Sequence, residues 1–89
     1  MEEGRLINQK GEIMNNNNKH KARIIQQLKL NGFKPGDLVI FTQQISIWSK
    51  LQLRQTEFVE LMHELKDEGY CTVEYEGNYE NYRLTAKIE

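Results

Sequence analysis

The sequence has a single cysteine and two histidines in 89 residues. A lone Cys71 excludes a disulfide within the chain and favours a reducing cytoplasm as its location. His20, His63 and Cys71 are too scattered to predict a zinc site. We therefore interpret Cys71 as a buried strand residue and predict neither a metal nor a cofactor.

Long apolar runs and catalytic patterns are also missing. No stretch approaches the ~20 apolar residues of a membrane span, and the first residues show no secretory signal pattern. The sequence contains no phosphate-binding glycine loop of the form GxxxxGK and no paired-carboxylate, Ser-His-Asp or Cys-His arrangement. His63 and Glu64 are adjacent on a predicted helix, so they do not face each other. We expect neither an enzyme nor a membrane-binding protein.

Charge is present in near balance, but it is unevenly distributed. The net charge is −1, whereas residues 1–54 hold nine Lys and Arg against four acids and residues 55–89 hold three against nine. Such asymmetry is typical of a protein with one face that meets a polyanion, and equally of two solvated faces.

The first 18 residues have little apolar periodicity and end in four asparagines, Asn15 to Asn18. We interpret residues 1–18 as a disordered arm. A second hypothesis comes from the genetic code, because "KGEIM" at residues 10–14 can be encoded as a bacterial ribosome-binding sequence just ahead of a start codon. Residues 1–13 would then be a translated leader. The folded domain is predicted over residues 19–89.

Residues 19–30, "KHKARIIQQLKL", predict a first helix. Its apolar stripe is Ala22, Ile25 and Leu28, with Ile24 beside it. A preceding asparagine can cap its start, and Asn31-Gly32 supplies a left-handed stop. "KPGD" at residues 34–37 predicts a turn.

Residues 38–68 predict a short strand and two helices. "LVIF" at residues 38–41 fits either a buried strand or a first helical turn, and we favour the strand because Thr42 follows as an N-cap. The second helix is predicted over Gln43–Leu51, with Trp48 as a core anchor. The third is predicted over Arg54–Glu68. Its inward residues recur at helical spacing: Phe58, Leu61, Met62 and Leu65.

Residues after Gly69 predict a β-hairpin. Cys71, Val73 and Tyr75 alternate with polar residues. The turn is predicted at residues 76–81. Tyr82, Leu84, Ala86 and Ile88 are then predicted to alternate along the second strand.

This order of elements resembles the winged helix-turn-helix, an α+β fold with three helices, a short strand and a two-stranded hairpin wing. The segment from Ile47 to Cys71 resembles the version found in bacterial regulators. In that family the middle helix ends in leucine, an apolar anchor and paired leucines follow across the turn, and the next helix closes on Glu-Gly and an apolar residue. The matching residues, without gaps, are Leu51, Gln52, Leu53, Arg54, Gln55, Phe58, Leu61, Met62, Leu65, Glu68, Gly69 and Tyr70.

Three positions depart from the family pattern. Gln52 stands where many members have glycine, so the turn must tolerate a side chain. Arg54 stands where serine or threonine usually caps the third helix, which implies weaker capping. Glu60 stands where a basic residue is common. Its carboxylate can accept a hydrogen bond from the amino group of cytosine, or it can serve only in a surface salt bridge.

The resemblance implies double-stranded DNA as the partner and a reading helix that enters the groove with its N-terminal end. Base contacts are expected from Gln55, Thr56, Val59 and Glu60. Phosphate contacts are expected from Lys50 and Arg54 and from the first helix with its arm, namely Lys19, His20, Lys21 and Arg23. The wing would contribute Asn78, Tyr79 and Arg83. Most acids of the third helix would stay outside the groove.

Two functions follow as alternatives. The first is a small sequence-specific DNA-binding regulator of a bacterial, plasmid or phage system, working as a homodimer because the phosphate contacts of one copy are modest. The second is a protein-interaction module, or a replication or partition accessory factor. It would dock a partner through the acidic third helix and a wing rich in tyrosine, namely Tyr75, Tyr79 and Tyr82.

Overall fold

The computed structural model describes residues 17–89. In chain order the elements are α1 (residues 17–30), β1 (Leu38–Val39), α2 (Phe41–Lys50), α3 (Gln55–Asp67), β2 (Cys71–Glu76), β3 (Tyr79–Leu84) and a single 3₁₀ turn, Ala86–Ile88. Residues 1–16, to which the predicted arm or leader belongs, lie outside the described residues. Helix α1 includes residues 17 and 18, two residues ahead of the predicted helix start at residue 19.

Helix α1 faces the core through one narrow stripe. Ile24 and Leu28 are buried, Ile25 is half-buried and Ala22 is exposed. The buried stripe is therefore centred on Ile24, which the sequence predicts only beside the stripe. The observed stripe is rotated by part of a turn from the predicted one. Burial of these two large aliphatic side chains, four residues apart, stabilises the packing of the helix against the rest of the domain.

All three helices end in the same left-handed turn. The residue after the last turn has a positive φ: +86° at Gly32, +60° at Gln52 and +91° at Gly69. After α2, the N–H of Leu53 donates to the carbonyl of Trp48 at 2.9 Å, which is the long bond of a Schellman motif. The predicted stop at Gly32 is confirmed, and Gln52 adopts a conformation that glycine tolerates better.

The start of α2 differs from the prediction. The strand contains only Leu38–Val39, Ile40 is the N-cap, and Thr42 lies inside the first helical turn. The predicted Thr42 cap is therefore wrong. Gln43 takes over the role, because its Oε1 accepts from the N–H of Ile40 at 3.1 Å. A side chain at the third helical position thus satisfies one of the amides that the apolar cap leaves open.

Helix α3 matches its predicted core face. Phe58, Leu61, Met62 and Leu65 are all buried. The N-cap is Arg54, whose side chain makes no capping hydrogen bond, whereas Glu57 Oε1 accepts from the Arg54 N–H at 2.8 Å. The predicted weak cap is confirmed, and Glu57 compensates for it in part.

The strands form one antiparallel sheet in the order β1-β3-β2. The hairpin is confirmed, but its turn is tighter than predicted: Glu76 pairs with Tyr79, so only Gly77 and Asn78 form the loop. Gly77 has φ +61°, as the first loop residue of a type II′ turn requires. Ala86 does not continue the alternation, because the chain bends there into the 3₁₀ turn that buries Ile88.

The domain is thus α+β, with three helices and a three-stranded antiparallel sheet in the described part of the chain. One core joins the helices to the inner face of the sheet, and Phe58 meets Tyr82 there edge to face at a centroid distance of 6.3 Å. Trp48 is half-buried against this core, as expected of an anchor. Among residues 17–89, no helix has the length and apolarity needed to cross a membrane.

Candidate nucleic-acid interface

A groove of about 150 Å³ separates the first turns of α3 from the tip of the β2–β3 hairpin. We call it the helix–hairpin groove. It is lined by Phe41, Gln44, Gln55, Val59, Asn78, Tyr79, Glu80 and Tyr82. Four of the predicted DNA-contacting residues, from two segments about 20 residues apart in sequence, therefore meet at one place: Gln55, Val59, Asn78 and Tyr79.

A buried glutamine fixes the floor of the helix–hairpin groove. Gln44 is 3% exposed, and its Nε2 donates to the carbonyl of Val39 at 2.9 Å and to that of Glu80 at 2.7 Å. Two carbonyls from β1 and β3 are thereby satisfied by one side chain of α2. The hairpin cannot move away from α2 without breaking the bond to the Glu80 carbonyl, so Gln44 holds the hairpin against α2.

Glu80 joins the hairpin to α3. Its Oε1 accepts from His63 Nε2 at 2.7 Å and from the Tyr82 hydroxyl at 2.9 Å. Burial raises the pKa of Glu80, but the hydrogen bonds from His63 and Tyr82 outweigh it, so the pKa lies below its ordinary value. The carboxylate is therefore ionised at neutral pH and puts a negative charge on one wall of the groove.

Tyr82 belongs to the core rather than to a surface. Its exposed fraction is 0%, and burial together with the Glu80 carboxylate raises the pKa of its hydroxyl. The prediction that Tyr82 lies on a partner surface with Tyr75 and Tyr79 is therefore wrong. Those two side chains are 70% and 54% exposed.

The hairpin tip presents an aromatic side chain and an amide. Tyr79 packs against Phe41, the first residue of α2, with ring centroids 4.5 Å apart and planes tilted by 33°. This contact covers part of the Tyr79 ring, while the residue as a whole remains exposed. Asn78 is exposed beside it in the two-residue loop. The tip offers hydrogen-bonding groups without a positive charge.

The N-terminal end of α3 is fully accessible. Arg54, Gln55 and Thr56 are exposed, and Val59 is half-buried along the groove. Thr56 and Glu60 are four residues apart and lie on one exposed face of the helix. The structure thus brings the predicted base-contacting residues onto two adjacent stripes that begin at the helix N-terminus.

The acids of α3 are mostly engaged within the chain. Lys21 Nζ lies 3.2 Å from Glu64 Oε1 and 2.5 Å from Glu68 Oε2. These two hydrogen bonds raise the pKa of Lys21 despite some loss of solvation. Lys66 lies 3.8 Å from Asp67, while Glu60 has no ion-pair partner among residues 17–89. Lys21 and Lys66 thus offset part of the negative charge of α3 and its C-cap, and these ion pairs lie in the C-terminal half of the helix.

The predicted phosphate contacts divide into two groups. Lys21 is held by α3, and Arg83 is held by Glu74 and by the carbonyl of Gly36, to which its Nη1 donates at 2.8 Å. Neither cation lines the helix–hairpin groove, and each would have to give up an intramolecular partner to contact a phosphate. Four others are exposed and have no ion-pair partner within the described residues, namely Lys19, Arg23, Lys50 and Arg54, whereas His20 is half-buried.

Sequence reasoning missed four residues that line the groove, namely Phe41, Gln44, Glu80 and Tyr82, and it missed His63 as the partner of Glu80. A signal existed for Gln44, which is three residues before the buried Ile47 and therefore shares its helical face. No local pattern links His63 to Glu80, because their contact joins a helix to a strand 17 residues away.

No cluster of three or more metal-ligating side chains occurs among residues 17–89. The chain matches no protein-family model, no curated protein and no solved structure at a significant level.

Proposed function

We propose that the chain is a small winged-helix protein that binds double-stranded DNA sequence-specifically and regulates transcription in a bacterial, plasmid or phage system. The element order and the strand order β1-β3-β2 are compatible with that fold. The observation that carries the proposal is the meeting of the α3 N-terminus with the hairpin tip across the helix–hairpin groove. In this role α3 is the reading helix and the hairpin is the wing.

The chemistry of the exposed residues supports DNA rather than another polyanion. Gln55 has an amide that pairs bidentately with adenine, and the methyl group of Thr56 suits contact with thymine. Arg54 precedes them in the sequence, and we expect its positively charged side chain to contact a phosphate. Because Glu80 is ionised in the groove, the deep part of the groove disfavours phosphate, and the phosphates are expected along the rim.

Affinity in this mode comes from few cations. Lys19, Arg23, Lys50 and Arg54 are the candidates without an ion-pair partner among residues 17–89, while Arg83 of the wing is paired with Glu74. Each phosphate contact contributes about −0.9 to the slope of log K against log salt concentration. One copy is therefore expected to bind weakly and with a modest salt slope, and specific binding calls for two copies on one site.

The test is selection from a random-sequence DNA pool at low and moderate salt with the full chain. An enriched motif is expected, and an inverted repeat would indicate two subunits. The double variant Arg54→Ala, Gln55→Ala should lose the motif without a lower melting temperature, because both side chains are exposed. The matched control is Gln26→Ala, Lys29→Ala, which removes the same amide and one charge from exposed positions of α1. Motif binding unchanged in the Arg54 variant contradicts the proposal.

A separate variant addresses the phosphates. Lys50→Ala should weaken binding to all sequences alike and reduce the salt slope by about 1. Retention of the full slope would show that Lys50 does not contact the backbone.

A protein-docking role is the second candidate, favoured by the exposure of Tyr75 and Tyr79. The acidic third helix contributes less to protein docking than expected, because Glu64 and Glu68 already form ion pairs with Lys21. Salt separates the two functions: DNA binding weakens as salt rises, with a slope set by the number of phosphate contacts, whereas a contact centred on tyrosine changes little.

A further inference from the structure

The helix–hairpin groove contains two side-chain oxygens that accept no hydrogen bond within residues 17–89. The first is Oε1 of Gln44, a residue that lines the groove and is 3% exposed. The Nε2 of Gln44 donates to two backbone carbonyls, which fixes the orientation of the amide. Its Oε1 is left without a donor, and this atom is not sealed from solvent. A buried side chain with an unused acceptor at the wall of a cavity indicates a place for a hydrogen-bond donor.

The second oxygen is Oε2 of Glu80. The Oε1 of Glu80 accepts from both His63 and the Tyr82 hydroxyl, whereas Oε2 has no partner within residues 17–89. Burial raises the pKa of Glu80, but these hydrogen bonds hold the pKa below its ordinary value, so the carboxylate is ionised at neutral pH. Among residues 17–89, no basic side chain lines the groove. The groove therefore combines a negative charge with unused acceptors.

The other groups that line the groove also suit a cation. Phe41 and Tyr79 lie side by side in its lining, and aromatic rings attract cations to their faces. Gln55 lines the groove from α3 and Asn78 from the hairpin, and both are exposed, so their amide oxygens are available as further acceptors. The volume of about 150 Å³ is smaller than the roughly 300–1,000 Å³ of a drug-sized pocket, which limits the ligand to one compact group.

We propose that the helix–hairpin groove binds a small organic cation through a guanidinium group, which donates to Glu80 Oε2 and Gln44 Oε1 and stacks on Tyr79. A guanidinium has five N–H donors in one plane and no acceptor, and it stacks on aromatic rings. An ammonium is more strongly hydrated and cannot stack in this way. The charge of Glu80 disfavours an anion, and an apolar ligand would leave both acceptors unpaired. The site does not depend on the proposed DNA function, and its test contains no DNA.

NMR titration of the full chain with methylguanidinium tests the proposal. Methylurea is the matched probe, because it has a similar planar shape without the charge. We expect saturable shifts of the Gln44 side-chain amide and of the amides of residues 78–80, with a dissociation constant of about 1 mM for so small a ligand. Methylurea should produce no saturable shift over the same range. The absence of a saturable shift, an equal response to methylurea, or shifts centred outside the groove overturns the proposal.

Variants identify the groups that bind the cation. Glu80→Gln keeps the shape of the side chain and removes its charge, so it should raise the dissociation constant about tenfold or more. The control is Glu76→Gln, which removes a carboxylate of the same hairpin that does not line the groove, and it should leave binding nearly unchanged. Glu80→Gln also alters the contacts of His63 and Tyr82, so Tyr79→Leu provides an independent measurement. Loss of the Tyr79 ring should raise the dissociation constant about threefold. Equal weakening by the two glutamine variants, or unchanged binding in Tyr79→Leu, contradicts the proposed site.

Discussion

Gln52 offers the most direct test of how this chain makes its tight turn between α2 and α3. It is exposed, its side chain makes no hydrogen bond within residues 17–89, and its φ is +60°. The turn keeps both bonds of a Schellman motif: the N–H of Gln52 donates to Ser49 O at 3.1 Å and that of Leu53 to Trp48 O at 2.9 Å. Replacing Gln52 with glycine therefore changes the backbone preference and little else.

Two opposing effects determine how much Gln52→Gly changes the free energy of unfolding. A side chain in the left-handed region costs about 1–2 kcal/mol, which glycine removes. Glycine also gains freedom in the unfolded chain, which costs about 0.4–1 kcal/mol of stability. The net expectation for Gln52→Gly is a gain of about 0.5–1 kcal/mol in the free energy of unfolding, or a rise in Tm of about 2–8 °C for a domain of this size.

Urea denaturation followed by Trp48 fluorescence measures this gain, with an unchanged m-value showing that the unfolding transition is the same. The control is Gln26→Gly, the same substitution at an exposed position inside α1. It should lose about 0.5–1 kcal/mol, since the backbone there is already right-handed. Gln52→Gly at or below wild-type stability would refute the conformational account of the turn.

Three further predictions concern buried groups. Phe58→Ala should lower the free energy of unfolding by about 3–5 kcal/mol, because Phe58 is 0% exposed and its removal leaves a cavity beside Tyr82; a loss under 1 kcal/mol in urea titration would contradict this. Glu80→Gln should destabilise the chain at neutral pH. Its native pKa is lower than the ordinary 4.5, so the stabilisation is full above that pH and disappears as pH falls through the native value. A destabilisation that is equal at all pH values would show that the charge has no role. Cys71 should resist alkylation at neutral pH in the native chain, because burial raises the pKa of its thiol to about 11; a labelling rate equal to that in urea would contradict its burial.

The fold was predictable where local patterns carry it. The 3.6-residue spacing of Phe58, Leu61, Met62 and Leu65 identified the inner face of α3, and Gly32 and Gly69 ended their helices as predicted. The prediction failed where a different side chain performs the expected role. Gln43 took the capping role expected of Thr42, because a glutamine at the third position of a helix can reach back to the cap amide.

The candidate site was predictable only in part. The exposure of Arg54, Gln55 and Thr56 follows from their place at the start of an amphipathic helix. By contrast, the sequence could not reveal that Lys21 would be held by Glu68, a residue 47 positions later. It also could not distinguish Tyr82, which is buried, from Tyr75 and Tyr79, which are not. All three stand in hairpin strands of similar composition.

By itself the sequence determined the helices, the turns and the hairpin of this protein, because periodicity and turn residues act over a few neighbouring positions. The tertiary structure alone decided which faces meet. It placed Gln55 against Asn78 and Tyr79 across one groove, and it paired Lys21 of α1 with Glu64 and Glu68. The physical reason is that packing and ion pairing depend on distances between segments far apart in the chain, and these distances are set by the burial of a single shared core.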